Sequence, residues 1–221
     1  MDAAHWYSFF RSYLAQPEVV GAVAPSSRAL ARALGAPFAA RTRPARLLEV
    51  GAGTGAVTRH LVTLLRPDDH LDICEIQPAF GDILERTVLA DPAVAGLCAT
   101  GRINLIRGPV QDIARDQPYD YIVSGLPLTS FSPELVRTIL QTIEALISPA
   151  GVFSYFEYVA LRKLRVAGSP LSGKPQAREV SRILDEHIAR HEIGHKLVLM
   201  NVPPAYARYW RFGPTPEDKG A

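Results

Sequence analysis

The sequence is short of cysteine, of long apolar runs and of net charge, and each shortage excludes a class of protein. Only two of the 221 residues are cysteine, Cys74 and Cys98, and Cys74 lies in an apolar segment. A disulfide-stabilised secreted domain is therefore not expected, and reduced thiols fit a cytoplasmic protein. The longest apolar stretch, near residues 142–161, is interrupted by two glutamates, a proline and a glycine, so no transmembrane helix is predicted.

Charge and composition narrow the class of protein further. Lys and Arg number 24 against 22 Asp and Glu, so the formal net charge is +2 and gives no indication of a large nucleic-acid footprint. Hydrophobic residues make up 48% and charged residues 21%, which is typical of a globular protein with a full core. The N-terminus lacks the basic and apolar segments of a signal peptide, so none is expected.

From residue 46 onwards, strand-like and helix-like segments alternate. Strands are predicted at 46–50, 70–75, 102–107, 119–123 and 152–158, and helices at 54–65, 78–89, 133–147 and about 176–189. Such alternation predicts a parallel sheet with helices on both faces. Two closing strands, about 196–202 and 205–212, are joined so tightly that they must pair antiparallel. Two N-terminal helices predict a division into residues 1–35 and 36–221.

The strongest motif follows the first predicted strand and reads LLEVGAGTG over residues 47–55. Its three glycines allow a sharp turn and a close approach of a ligand to the backbone. Glu75 ends the second predicted strand, where a carboxylate can accept hydrogen bonds from ribose hydroxyls. Glu49 precedes the loop, and a carboxylate there repels phosphate but suits a ligand that carries an amine.

This pattern resembles the glycine motif of class I S-adenosylmethionine-dependent methyltransferases, over about residues 46–212. The resemblance implies an α/β, Rossmann-like, seven-stranded sheet with an antiparallel last hairpin, here with extra N-terminal helices. It also implies S-adenosyl-L-methionine as cofactor, with glycines along its amino-acid part, Glu75 at the ribose and the loop after strand three at the adenine. The predicted cofactor-binding residues are Glu49, Gly51, Gly53, Gly55, Glu75, Ile76, Val110, Gln111 and Ser124.

The fourth predicted strand ends in Ser-Gly-Leu-Pro-Leu, residues 124–128. Methyltransferases that modify amide or base nitrogens often carry Asn or Asp, two prolines and an aromatic residue at this place. The amide and the aromatic are absent here, so a flat base is not the favoured substrate. Ser124 and Gly125 are expected to form the floor between methyl donor and acceptor. Tyr158, at the end of strand five, is predicted to hold a methylated ammonium by cation–π attraction.

Three separated stretches resemble soluble-type bacterial phospholipid N-methyltransferases: SGLPL, VGAVAPSSRALA at 20–31 and NVPPA at 201–205. Members of that family convert phosphatidylethanolamine to phosphatidylcholine in up to three steps. The resemblance implies a peripheral enzyme on the inner face of the cytoplasmic membrane. Its partners would be phosphatidylethanolamine, the methylated derivatives and anionic lipids, without nucleic acid or metal. An rRNA adenine N6-methyltransferase and a small-molecule methyltransferase with a helical lid remain alternatives.

Aromatic and basic residues predict a lipid-facing surface. The helix predicted near the N-terminus places aromatic side chains on one face beside basic ones, as interfacial helices do, although such a face also suits packing onto the domain. A second basic cluster follows strand five and would lie at the same edge of the sheet as the active site. The residues predicted to contact substrate or membrane are Trp6, Phe9, Arg11, Ser27, Arg28, Arg162, Lys163 and Arg165.

Residues 191–195 read H-E-I-G-H and formally match the H-E-x-x-H zinc motif. That chemistry requires both histidines on one face of a continuous helix. Gly194 and the strand-like residues after it predict that the helix ends here instead. A zinc site is therefore not expected, and a chelator that abolished activity would contradict this interpretation.

Overall fold

A computed structural model describes residues 26–159 and 174–213 of the chain. Its seven strands form a single sheet in the order β3-β2-β1-β4-β5-β7-β6. Neighbours from β3 to β5 pair in parallel, whereas β7 pairs antiparallel with both β5 and β6. The strands are β1 Arg46–Val50, β2 His70–Glu75, β3 Ile103–Arg107, β4 Tyr119–Ser124, β5 Ile147–Tyr158, β6 Glu192–Val198 and β7 Ala205–Trp210.

Helices connect the strands, and polar side chains cap several of their N-termini. Ser27, Asp91 and Ser132 each accept a hydrogen bond from a backbone N–H of the first turn that they cap. Short 3₁₀ turns follow β3 and β4, at Val110–Asp112 and Leu128–Ser130. The α-helices are α1 Arg28–Leu34, α2 Ala36–Ala39, α3 Thr58–Leu64, α4 Pro78–Leu84 with a π-helical continuation over Glu85–Leu89, α5 Pro92–Ala99, α6 Pro133–Leu146 and α7 Lys174–His191.

The sheet buries apolar side chains on both faces. Leu48 and Val50 of β1 belong to one core, with Ile139 of α6 and Leu184 of α7. Leu47 belongs to the other core, on the face that α1 and α3 cover. Strands buried on both sides are rich in apolar residues on both faces, as Leu47, Leu48 and Val50 show, and Glu49 is the buried exception in β1. The predicted α/β sheet with its closing antiparallel hairpin is confirmed.

Helix α1 packs on the sheet near β5, β6 and β7. Its Leu30 and Leu34 are completely buried, and the hydroxyl of Tyr209 in β7 donates a hydrogen bond to the carbonyl of Ala33 at 2.8 Å. Residues 26–35 therefore share a core with the strands. The division of the chain at residue 35 stays a prediction, and the helix predicted near the N-terminus lies outside the described residues.

Three element boundaries differ from the predictions by four residues or more, and one helix was not predicted. Helix α3 begins at Thr58 rather than at residue 54, because residues 53–57 form turns at the glycine loop. Strand β5 begins earlier, at Ile147, since that residue pairs with Tyr119 before an irregularity in the ladder. Strand β6 spans Glu192–Val198 rather than about 196–202, because α7 leads into it without a loop. Helix α5 was not predicted, although Asp91-Pro92 is a good helix start.

Candidate functional site

The glycine loop leaves β1 at the carboxyl edge of the sheet. Gly51 has φ +74°, and a Cβ atom there would lie 2.4 Å from Cδ2 of Leu126. Its N–H donates a hydrogen bond to the carbonyl of Cys74 in β2 at 2.9 Å. Gly53 and Gly55 also have positive φ. A side chain at Gly51 would therefore be excluded both by backbone strain and by contact with the segment after β4.

Glu75 joins the end of β2 to this loop. Its carboxylate accepts hydrogen bonds from the N–H of Gly53 at 2.7 Å and from the N–H of Gln77 at 2.8 Å. The side chain is buried, and burial raises the pKa of Glu75 despite these hydrogen bonds. Each carboxylate oxygen has a second lone pair, so the group can accept further hydrogen bonds from hydroxyls. The structure therefore places the carboxylate of Glu75 against the glycine loop, and its contact with a ribose stays a prediction.

Glu49 lies on the side of β1 that faces α1 and α3. It is 1% exposed, and the hydroxyl and N–H of Thr58 are the polar groups beside its carboxylate. Burial raises the pKa of Glu49 to about 8. A buried carboxyl with no cation beside it is costly to ionise, and an ammonium group there would relieve that cost. These properties fit a site that receives an ammonium group.

A narrow crevice opens between the ends of the first four strands. Its walls are mainly apolar, but the Nε2 atom of Gln111 is buried there without a hydrogen-bond partner in the described chain. Apolar walls with one amide donor suit a heteroaromatic ring that carries acceptor nitrogens. The lining residues are Val50, Gly51, Cys74, Ile76, Gly108, Pro109, Val110, Gln111, Leu126 and Ile139.

The segment after β4 lies directly against the glycine loop. The N–H of Gly125 donates to the carbonyl of Val50 at 2.9 Å, and a Cβ at Gly125 would lie 2.4 Å from the carbonyl oxygen of Gly51. Ser124 is fully buried, and its hydroxyl accepts a hydrogen bond from the N–H of Leu126 at 3.2 Å. The structure thus gives Ser124 a role in shaping the turn. Contacts of Ser124 and Gly125 with cofactor or substrate stay predictions.

Tyr158 lies at the carboxyl end of β5. It is 5% exposed, and its ring packs edge-on against Phe156 with 5.2 Å between centroids. Both rings belong to the core on the side of α1, whereas the crevice lies on the opposite side of the sheet. The structure therefore places Tyr158 at the expected edge but apart from the crevice, and its proposed contact with a methylated amine stays a prediction.

The predicted substrate-contacting residues are only partly described. Ser27 caps α1, because its hydroxyl accepts a hydrogen bond from the N–H of Leu30 at 3.1 Å, and Arg28 is exposed. The N–H of Ser27 donates to Oδ1 of Asn201 at 3.0 Å, which joins two of the three family-like stretches. The remaining predicted residues, Trp6, Phe9, Arg11, Arg162, Lys163 and Arg165, lie outside the described residues.

Leu126 and Asn201 lie in stretches that the sequence singled out, but neither received a role of its own. Leu126 lines the crevice and touches Gly51, and its only signal was its place between Gly125 and Pro127. Asn201 is 2% exposed and holds the β6–β7 turn against α1. The available signal for Asn201 was its place as a polar residue inside an apolar run, two positions before a pair of prolines.

The H-E-x-x-H match is divided between two elements. His191 is the last residue of α7, whereas Glu192 and His195 belong to β6. Glu192 accepts a hydrogen bond from Arg208 at 2.5 Å and lies 2.9 Å from Nδ1 of His195. The predicted end of the helix at this point is confirmed. Within the described ranges, no group of three or more His, Cys, Asp or Glu side chains is arranged to hold a metal ion.

Comparison with curated proteins finds a lipid methyltransferase of similar sequence. No protein-family model matches the chain. The ornithine lipid N-methyltransferase of Singulisphaera acidiphila is 28% identical over 159 residues, which is 67% of this chain and 76% of the relative. This chain is thus similar to a protein named for the methylation of a lipid amine.

Solved structures share the fold. An O-methyltransferase from Bacillus cereus, in complex with SAH, superposes with a TM-score of 0.61, at 14% identity and over 92% of this chain and 90% of the other. The 1,6-didemethyltoxoflavin-N1-methyltransferase of Burkholderia thailandensis gives 0.58, at 19% identity and over 96% and 89%. The chain has the class I methyltransferase fold, as predicted. The prediction of an enzyme that uses S-adenosylmethionine agrees with these comparisons.

Proposed function

We propose that the protein is an S-adenosylmethionine-dependent N-methyltransferase that acts on the primary amine of a membrane lipid headgroup. The substrate is phosphatidylethanolamine, which is methylated towards phosphatidylcholine by a peripheral enzyme at the inner face of the cytoplasmic membrane. The observation that carries the proposal is the similarity to a lipid N-methyltransferase along three quarters of that relative.

The described residues fit the cofactor. The orphaned amide of Gln111 in the apolar crevice suits the adenine, and Glu75 beside the glycine loop suits the ribose hydroxyls. The buried carboxyl of Glu49 suits the ammonium of the amino-acid part. When bound, S-adenosylmethionine supplies a sulfonium methyl group to a nucleophile.

The site must hold an uncharged amine in line with that methyl group and exclude water. The turn after β4 is suited to this, because Leu126 and Leu128 are buried and Gly125 lets the turn lie directly against the glycine loop. Burial in such surroundings disfavours the charged ammonium form and favours the nucleophilic amine. Positioning and desolvation of this kind supply most of what the reaction requires of the protein.

The same turn gives little support to a nucleobase substrate. Phe131 is the nearest aromatic residue after β4, and it is 4% exposed within the core below α6. A ring buried there cannot stack on a flipped base. Ser124, which occupies the place of the usual amide, already accepts a hydrogen bond from its own turn. An sp³ amine needs neither group.

The named relative supports a second substrate of the same chemical class. An ornithine lipid also presents a primary amine, and the relative is an ornithine lipid N-methyltransferase. The two candidates differ in what surrounds the amine, because phosphatidylethanolamine carries a phosphate and an ornithine lipid carries none.

Labelled S-adenosylmethionine tests the proposal directly. The full chain is incubated in parallel with vesicles that contain phosphatidylethanolamine, vesicles that contain ornithine lipid, and rRNA. We expect label in phosphatidylethanolamine, and label in ornithine lipid alone would select the second candidate. Label in RNA without label in either lipid would contradict both. Glu75→Gln should lose transfer to every substrate. A loss on all substrates indicates a defect in cofactor binding, whereas a lack of label in one lipid alone indicates that this lipid is not the substrate.

A further inference from the structure

The turn between β6 and β7 exposes apolar side chains to an unusual degree. Leu199 is 70% exposed, Met200 82% and Val202 78%. Single exposed apolar residues are common on protein surfaces, but a cluster at the end of a hairpin indicates an interaction site. We refer to residues 199–202 as the hairpin tip.

Hydrogen bonds hold the hairpin tip in place. Asn201 points inward, and its Nδ2 donates to the carbonyl of Pro203 at 2.8 Å while its Oδ1 accepts from the N–H of Ser27 at 3.0 Å. The N–H of Val159, just after β5, donates to the carbonyl of Pro204 at 3.0 Å. The exposed side chains therefore belong to a fixed turn that directs one polar residue inward and three apolar residues outward.

The hairpin tip projects from the edge of the sheet that carries the site. Ala205 pairs with both Tyr158 at the end of β5 and Val198 at the end of β6. Residues 199–204 thus continue beyond the carboxyl ends of these strands. The strand order separates β6 from β4 by three strand spacings, or about 14 Å. A membrane surface in contact with the hairpin tip would therefore lie beside the opening of the site.

The surroundings of the hairpin tip are basic. Residues 193–206 contain no Asp or Glu, and neither do residues 26–48. Lys196 on β6 is exposed, as are Arg28 and Arg32 on the neighbouring helix α1. Apolar residues flanked by cations complement a bilayer that contains anionic lipids, because the apolar groups enter the interface and the cations remain at the headgroups.

We propose that the hairpin tip inserts into the interfacial region of an anionic phospholipid bilayer and so holds the site against the membrane surface. This inference rests on the proposed function, since it names the surface on which that site works. It assigns membrane contact to Leu199, Met200 and Val202. The alternative is that a second copy of the chain covers the hairpin tip. The experiment distinguishes such a dimer from membrane insertion.

Vesicle binding of the full chain tests the proposal without any methylation. The vesicles contain phosphatidylglycerol and phosphatidylcholine, which carry no primary amine. The Leu199→Ser, Met200→Ser double variant should bind them at least tenfold more weakly than the wild type. Both side chains are exposed, so the fold should persist, and unchanged calorimetric affinity for S-adenosylhomocysteine would verify that it does. Ile193→Ser is the matched control, because Ile193 is 45% exposed near the opposite end of β6.

A second variant gives a direct readout of insertion. Met200→Trp should strengthen vesicle binding, and its emission, taken as the difference from wild type, should shift to the blue when vesicles are added. Trp210 is fully buried, and its emission is present in both the variant and the wild type, so the difference removes it.

Four outcomes would overturn the proposal. These are no vesicle binding by the wild type, equal binding by the double variant, equal loss in Ile193→Ser, or a wild-type dimer that the double variant dissociates while vesicle binding persists. Tip-dependent binding by a wild type that methylates no lipid would instead support the hairpin tip and contradict the proposed function.

Discussion

At the scale of single residues, Glu49 is the group whose chemistry depends most on its surroundings. Its carboxyl ordinarily ionises near pH 4.5, but burial raises the pKa in the folded protein to about 8. Between these values the unfolded chain releases a proton that the folded protein retains. The free energy of unfolding therefore falls as pH rises from about 4.5 to about 8, and this contribution levels off above that range.

Glu49→Gln should remove this pH dependence. The variant has no proton to lose, so we expect it to match the wild type near pH 4.5 and to exceed its stability at pH 8 by on the order of a few kcal/mol. Urea unfolding at a series of pH values measures the difference. Glu134→Gln, at an exposed position on α6, is the control and should leave the pH profile unchanged. A Glu49→Gln profile parallel to wild type would show that the carboxyl is ionised in the folded protein.

Gly125 is the residue at which the glycine loop and the segment after β4 meet most closely. The structure predicts that even alanine is too large at this position, since its Cβ would lie 2.4 Å from the carbonyl oxygen of Gly51. Gly125→Ala should destabilise the protein by about 1–3 kcal/mol and reduce affinity for S-adenosylhomocysteine as the loop shifts. Calorimetric binding and urea unfolding measure both effects.

The control for Gly125→Ala is another glycine with free space around it. Gly96 lies inside α5, and a Cβ atom there would have no neighbour within 4 Å in the described chain. Gly96→Ala should be neutral or stabilising by about 0.5–1 kcal/mol, because alanine favours the helix. Full cofactor affinity in Gly125→Ala would show that the two loops do not depend on each other.

At the scale of secondary-structure elements, predictions succeeded where the evidence was local. Both β1 and β2 have the predicted bounds, and together they bring the glycine loop and Glu75 to the same edge of the sheet. The boundaries of β6 were wrong, because Leu199 and Met200 read as a continuation of an apolar strand. In the structure they are turn residues that protrude from the sheet. Apolar character alone does not distinguish a buried strand from an exposed turn.

The contact between α1 and the β6–β7 turn was beyond sequence reasoning for a different reason. Ser27 and Asn201 are 174 positions apart, and no periodicity connects them. Both stretches were singled out by their family-like sequences, but nothing in either indicated that a side-chain amide joins them. Only the strand order, which places β7 between β5 and β6, brings the turn next to the start of α1.

Asn201→Ala should therefore destabilise both the start of α1 and the β6–β7 turn. The substitution leaves the N–H of Ser27 and the carbonyl of Pro203 without their partner, and lost buried hydrogen bonds of this kind cost about 1–3 kcal/mol. Urea unfolding measures the loss, and hydrogen exchange should rise at the start of α1 as well as in the turn. Ser132→Ala, which removes the cap of α6, is a control of similar size that should leave exchange in α1 unchanged.

At the scale of the whole molecule, a net charge of +2 conceals an uneven distribution. On α7 and its neighbour α6, cations are matched by anions, as in the pairs of Glu179 with Arg137 and of Glu179 and Glu186 with Arg182. The region around the hairpin tip has exposed cations and no acidic residue in either of its sequence stretches. The total charge is thus a poor guide to this surface, whereas its local charge predicts a preference for anionic membranes.

Salt should separate the two contributions to membrane binding. The Debye length is about 10 Å at 0.1 M salt and about 3 Å at 1 M, so high salt screens Arg28, Arg32 and Lys196 but not the apolar tip. Each basic residue near an anionic bilayer contributes about 1 kcal/mol, so Arg28→Gln, Arg32→Gln should weaken binding to phosphatidylglycerol vesicles roughly 30-fold at low salt. That variant and the wild type should converge at high salt. The Leu199→Ser, Met200→Ser variant should instead stay below the wild type at every salt concentration, because its lost contacts are apolar. Parallel salt profiles for the two variants would contradict this division between charge and insertion.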